Sequence, residues 1–209
     1  MTDPAKRGSA RGVDAVLHTS VATLFSNLVT RPTGRAVRVA IERQIREARG
    51  ASLSILDFSK VGVIDYSCAD EVIAKLLLTY GSPSRPAQAY FMAKGVSEAH
   101  RGPIEAVLNH HRILLVALEN ERTALWGPAP VRLRRAWDDL DRLGQALVDE
   151  FAFNRGLQRS TAVAWLRRLV RLRVAVADTE ERFLSLPAIL DSDLAGRGGG
   201  RSLGSAGTD

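Results

Sequence analysis

Between residues 31 and 118, short apolar runs of strand length alternate with amphipathic stretches of helix length, and few folds accept that order. RAVRVAIERQIREARG places Val37, Ile41 and Ile45 on one helical face and stops at Gly50. SLSILDF reads as a strand and Ser59-Lys60 as a polar turn. Val61 to Ile64 is apolar again, and Asp65-Tyr66-Ser67 opens the helix SCADEVIAKLLLTYG. Ala69, Val72, Ile73, Leu76 and Leu77 form its inward stripe. AQAYFMA (strand), SEAHRGPIEAVLNHH (helix, open to division at Pro103) and RILLVAL (strand) follow. Strands separated by helices of this length predict an α/β domain with a mostly parallel sheet.

The pattern changes at Trp126-Gly127-Pro128-Ala129-Pro130, a cluster of breakers that predicts a domain boundary. PVRLRRAWDDLDRLG is a helix with Leu133, Trp137 and Leu140 inward and Leu143 open as a fourth, and QALVDEFAFNRG is a second, stopped by Asn154 to Gly156. Ser160 is placed to cap a third, STAVAWLRRLVRL, with Val163, Leu166, Leu169 and Val170 buried. RVAVADTEERFLSLP then reads as two short strands around the charged turn Asp178-Thr179-Glu180-Glu181. The predicted layout is a disordered tail (1–12), an α/β domain (13–126), a small α+β domain (127–190) and a disordered Gly/Ser-rich tail (191–209).

At 209 residues, with 45% hydrophobic and 25% charged residues, the chain can bury a real core. No run reaches the ~18 apolar residues of a membrane helix, and MTDPAKRGSARG lacks a signal-peptide core, so a cytoplasmic protein without membrane contact is predicted. A single cysteine, Cys68, excludes an intrachain disulfide and a cysteine-built zinc site. Lysine occurs only at Lys6, Lys60, Lys75 and Lys94, so arginine carries most of the +6 balance. Arginine binds phosphate and carboxylate through paired donors, which makes its placement informative.

Little in the sequence supports catalysis. His110 and His111 diverge by about 100° on a helix, and with His18 and His100 they read as solvated side chains. A receiver-type acidic pocket needs an early strand ending in two carboxylates, and the region before Leu53 has none. No phosphate-cradling loop or nucleophile elbow is present, so neither an enzyme, a metal nor a cofactor is predicted. Ser67 precedes Asp70 and Glu71 with capping-box spacing, which reads as a helix cap. A phosphate there would gain from the first-turn amides but meet repulsion from Asp65, Asp70 and Glu71. Thr30-Arg31-Pro32-Thr33-Gly34-Arg35 reads as a capped helix start with proline in its first turn, or as an arginine-flanked anion site.

The stretch LDFSKVGVIDYSCADEVIAKLL, with NLVTRPTGRAVRVAIERQI upstream, resembles the STAS-like relatives of bacterial anti-sigma factor antagonists over Leu28 to Leu118. In the antagonists the strand ends in Asp-Ser-Ser/Thr-Gly, and the first hydroxyl after the Asp is phosphorylated by a partner kinase. Here Asp65 matches the Asp, Tyr66 takes the phosphoacceptor place, Ser67 matches the next hydroxyl and Cys68 replaces the glycine. The resemblance implies a regulatory loop at Asp65, Tyr66 and Ser67, and a histidine-kinase-like ATPase as protein partner.

Val131 to Leu190 resembles a winged helix-turn-helix, with Arg173 where many relatives have glycine. Ten arginines against five acids lie between Arg132 and Arg173. The resemblance implies contact with double-stranded DNA through Arg159, Ser160, Thr161, Arg167, Arg168 and Arg171. The wing turn carries Asp178, Glu180 and Glu181 with only Arg182 basic, which favours protein contacts instead. Two functions follow: a bacterial transcriptional regulator with a STAS-like signalling domain, or an adaptor in a partner-switching pathway without DNA binding. A homodimer is open to either.

Overall fold

The computed structural model describes residues 12–119, 122–178 and 180–198. The fold is mixed α/β around a five-stranded, mostly parallel sheet. Its strands are β1 (Ala15–Ser20), β3 (Ser52–Asp57), β5 (Ala89–Lys94), β6 (Leu115–Glu119) and β7 (Arg122–Trp126), in that spatial order. The first four are parallel, and β7 returns antiparallel to β6. A second, two-residue parallel ladder joins β2 (Asn27–Leu28) to β4 (Val63–Ile64).

Helix α1 (Arg31–Glu47) joins β2 to β3, and α4 (Glu98–His111) joins β5 to β6. Between β4 and β5 runs one continuous helix in three parts. These are α2 (Tyr66–Ala69), a π-helical turn (Asp70–Ala74) and α3 (Lys75–Gly81). Strand order follows chain order, so crossovers of one hand set every connecting helix on the same face. Side chains alternate accordingly. Leu56, Phe91, Ala93, Leu115 and Ala117 pack under α1–α4. Leu53, Ile55, Tyr90, Met92 and Val116 point the other way.

That second face is closed by the C-terminal third of the chain. It comprises α5 (Val131–Leu143), β8 (Gln145–Ala146), α6 (Val148–Arg155), α7 (Arg159–Arg171), β9 (Ala175–Ala177), β10 (Phe183–Ser185) and α8 (Leu186–Gly198). Strands β8, β10 and β9 form a small antiparallel sheet in that order. Trp137, Phe151, Leu166, Leu169 and Ile189 join Leu53, Tyr90 and Val116 in one continuous core. The indole N–H of buried Trp137 donates to the Val174 carbonyl at 3.1 Å.

Several local expectations need correction. Trp126 belongs to β7 and is buried, leaving only Gly127 to Pro130 as the connection. Gly127 takes φ 98°, where a Cβ would lie 2.3 Å from the Ile113 carbonyl oxygen, so only glycine fits. Arg134 donates to the carbonyls of Leu125 and Gly127 and pins this connection to α5. Helix α4 runs unbroken through Pro103. Helix α8 extends to Gly198, into the segment expected as a tail from 191, because Leu186, Ile189 and Leu190 anchor it in the core. Residues 1–11 and 199–209, the bulk of both expected tails, lie outside the described residues. No helix among the described residues is long and apolar enough to cross a membrane.

The shared core makes a specific demand on unfolding. Met92→Ala on β5 and Leu166→Ala on α7 should each cost about 2–5 kcal/mol. Calorimetry should show one heat transition that both substitutions lower together; two transitions, each answering to one substitution, would contradict a common core.

Candidate functional site

The β2–β4 ladder feeds directly into α1 and α2, so the two helix N-termini start side by side. Thr30 caps α1, its hydroxyl accepting the Thr33 N–H at 3.4 Å, with Pro32 in the first turn. Gly34 allows the close approach of α2: a Cβ there would lie 3.0 Å from the Cys68 Cα and from the Glu71 Cβ. The buried Cys68 thiol donates to the Thr30 carbonyl at 2.9 Å. Burial first, and then the Asp65 charge, push this thiol above its ordinary pKa, so it is a structural group rather than a nucleophile.

The cap of α2 is Asp65, not Ser67. Asp65 accepts the Cys68 N–H at 2.8 Å and the Ser67 hydroxyl at 2.9 Å. Desolvation opposes its ionisation, but these hydrogen bonds outweigh it and hold its pKa below the ordinary carboxylate value. Ser67 is half-buried and committed to Asp65, whereas Tyr66 is exposed, edge-on to His110 with ring centroids 6.4 Å apart. The three residues of the expected regulatory loop are therefore adjacent, and Tyr66 carries the open hydroxyl.

Asp70 and Glu71, expected to repel a phosphate at the helix head, are buried and paired with cations. Glu71, 2% exposed, receives Arg31 at 3.1 Å, Arg38 at 3.4 Å and the Lys75 ammonium. Asp70 receives Arg31 at 3.0 Å and His111 at 2.7 Å. Desolvation raises both carboxyls, yet the partners win: His111 and Arg31 lower Asp70, and Lys75 and Arg31 lower Glu71. His100 also departs from expectation. It is buried, accepting the Ser97 N–H on Nδ1 at 3.1 Å, and only His18 and His110 are exposed.

The expected nucleic-acid residues lie on α7, whose Ala162, Leu166 and Leu169 face the core. Its N-cap is Gln158, so Ser160 stands exposed inside the first turn instead of capping it. Thr161 is half-buried; Arg159, Arg167, Arg168 and Arg171 are exposed. Arg159 pairs with Asp149 on α6 at 2.8 Å, and Arg167 with Glu181 of the β9–β10 turn at 3.8 Å. No ion pair is found for Arg168 or Arg171 among the described residues. Arg168 flanks Trp165, which carries Arg155 over its ring at 5.7 Å. Arg171 sits at the far end of the helix, against α3 and the α4–β6 connection.

The acids of the β9–β10 turn are engaged in building it. Asp178 accepts the N–H groups of Glu180 and Arg182 at 2.8 and 2.9 Å, and Glu180 meets Arg182 at 3.4 Å. Thr179 lies outside the described residues. No protein-family model matches the chain, and no curated protein matches it.

Two measurements test these assignments. Asp65→Ala should cost about 0.5–2 kcal/mol as a lost cap, and Ser67→Ala clearly less; the reverse order in chemical denaturation would return the cap to Ser67. Glu71→Gln should cost about 2 kcal/mol at pH 7. The folded pKa of Glu71 lies below its unfolded value, so its stabilisation is complete above about pH 5 and fades as pH falls through the folded value. Stability of Glu71→Gln should therefore fall less steeply than that of the parent below pH 5, and parallel curves would exclude this role.

Proposed function

We propose that the chain is a cytosolic bacterial regulator in which a STAS-like α/β unit carries a winged helix that binds double-stranded DNA. The carrying observation is the outward face of α7, where Arg168 and Arg171 have no acidic partner among the described residues and Arg159 and Ser160 occupy the N-terminal end. The order α5, β8, α6, α7, β9, β10 supports the winged-helix reading. So does the β8-β10-β9 sheet, and so does the α6–α7 turn at Gly156, which takes φ 60°. In that motif the N-terminal end of the third helix meets base edges.

The ion pairs of Arg159 and Arg167 do not block this role. Both are well exposed, and such pairs contribute about 0–1 kcal/mol, so a DNA phosphate can displace the carboxylate. The resemblance at the head of α2 supports a signalling role for Asp65, Tyr66 and Ser67, with a kinase-like ATPase as partner. An adaptor without DNA binding is the second reading. Exposed Leu24, Phe25, Val29, Val63 and Tyr66 around the β2–β4 ladder favour it, because apolar residues gathered at one end suit protein contact.

Fluorescence anisotropy with duplex genomic fragments across a salt series separates the two. DNA binding should weaken with salt at a log–log slope of about −0.9 per phosphate neutralised. Arg168→Ala should lower affinity and flatten the slope, while Arg159→Ala should alter the preferred sequence. A folded chain that leaves every duplex unbound at low salt would establish the adaptor reading.

A further inference from the structure

We propose that the cavity where α3, the α4–β6 connection and the end of α7 meet binds a small anionic amphiphile: a carboxylate or phosphate headgroup on an apolar body. The cavity measures about 300 Å³ and lies on the seam between the α1–α4 layer and the C-terminal layer. Leu77, Leu114 and Leu172 provide its apolar wall; Arg112, Arg171 and Arg173 provide its polar one. No carboxylate lines it among the described residues. A largely apolar pocket with a few convergent charges is the form small-molecule sites take.

The charge is not absorbed by the protein. Three helix ends reach the cavity, at Gly81, Arg112 and Arg171, each with roughly half a negative charge from its carbonyls. The three arginines that line the cavity carry more positive charge than that sum, so the site is net positive. Arg173 is the most confined of them. Its Nη2 donates to the Ala89 carbonyl at 2.8 Å and its guanidinium lies 4.0 Å over the Tyr90 ring, while Nε is buried with no acceptor among the described residues. Desolvation draws its pKa down against the helpful Tyr90, Arg85 adds repulsion, and no acid pairs with it among the described residues. A bound anion would supply the missing counter-charge.

The backbone points to the same place. Arg112 and Arg173 hold left-handed conformations, with φ 55° and 63°, and Glu181 is the remaining non-glycine residue to do so among the described residues. L side chains seldom adopt that region, and glycine would fit both turns without strain. Both left-handed arginines line the cavity; Arg173 is also held by Ala89 and Tyr90, whereas no side-chain hydrogen bond or ion pair holds Arg112 among the described residues, which leaves its side chain for the cavity. Ligand binding there would touch α3, β6 and α7 at once. It does not depend on whether α7 meets DNA.

Calorimetric titration of the full chain tests this with decanoate, decyl phosphate, decanol and decylamine. Decanoate or decyl phosphate should bind saturably at one site per chain, the tighter of the two identifying the headgroup. Decanol should bind much more weakly and decylamine not at all. Arg112→Gly and Arg173→Gly preserve the left-handed turns, and Arg171→Gln leaves the helix intact. Each should weaken the anion about tenfold. If Arg173→Gly fails to fold, the other two variants carry the test. No saturable anion binding up to about 1 mM overturns the proposal. So does decanol binding as tightly as the anions, or anion affinity unchanged in the folded variants.

Discussion

A parallel sheet whose strands are laid down in chain order has all its crossover helices on one face, and the other face must be covered from elsewhere. Here that demand is met within the chain. Leu53, Ile55, Tyr90, Met92 and Val116 would otherwise face water, and each large apolar side chain taken from water gains about 1.5–3 kcal/mol. The helices α5 to α8 depend on the same contact, since Leu133, Trp137, Leu166 and Leu169 need an apolar surface to pack upon. Neither layer is a passenger on the other. The antiparallel strand β7 serves this arrangement by ending the sheet and turning the chain toward its uncovered side.

The helix between β4 and β5 is constrained on every side. It lies against the sheet, α1 and α4, and residues Cys68 to Ala74 are all buried. Two of those residues are acids, and burying a carboxylate is tolerable only with partners. Arg31 and Arg38 stand seven positions apart and therefore on one face of α1, Lys75 is one turn beyond Glu71, and His111 closes from the end of α4. The π-helical turn falls on Asp70 to Ala74, where these partners converge. The acids thus determine how α1 and α4 sit against the helix head, and they do not form an open acidic surface.

Apolar content explains what could be read from the sequence and what could not. Strands β3, β5 and β6 are buried on both faces and read as continuous apolar runs, and the Val37-Ile41-Ile45 stripe of α1 is unambiguous. Strand β1 is only half-buried and carries His18 and Thr19, so it lacks that signature. Strand β7 opens with Arg122 and Thr123, and β8 is two residues long. Helix α8 was obscured because its apolar anchors fall in the first turn and a half, ahead of a glycine-rich stretch. The caps misled for a different reason. Asp65 and Ser67 both have capping chemistry two residues apart, and choosing between them requires knowing where the backbone turns helical. The arginines of α7 lie outside its apolar stripe, as their spacing predicts, but the pairing of Arg159 with Asp149 and of Arg167 with Glu181 depends on tertiary contacts that spacing does not encode.

Arg173 shows how the two layers are joined at their edge. Glycine would end α7 more easily, and the left-handed conformation costs an arginine about 1–2 kcal/mol. Against this cost, the side chain crosses the seam to the Ala89 carbonyl and stacks on Tyr90, both on β5. A charge-assisted hydrogen bond and a desolvated cation–π contact are each worth about 2 kcal/mol, enough to offset the strain. The end of α7 is thereby tied directly to a central strand of the sheet, while Leu166 and Leu169 fix its middle in the shared core. The outward face of α7 is consequently presented at an orientation set by the sheet. A displacement of β5 would have to carry the helix with it or break the Arg173 contacts first.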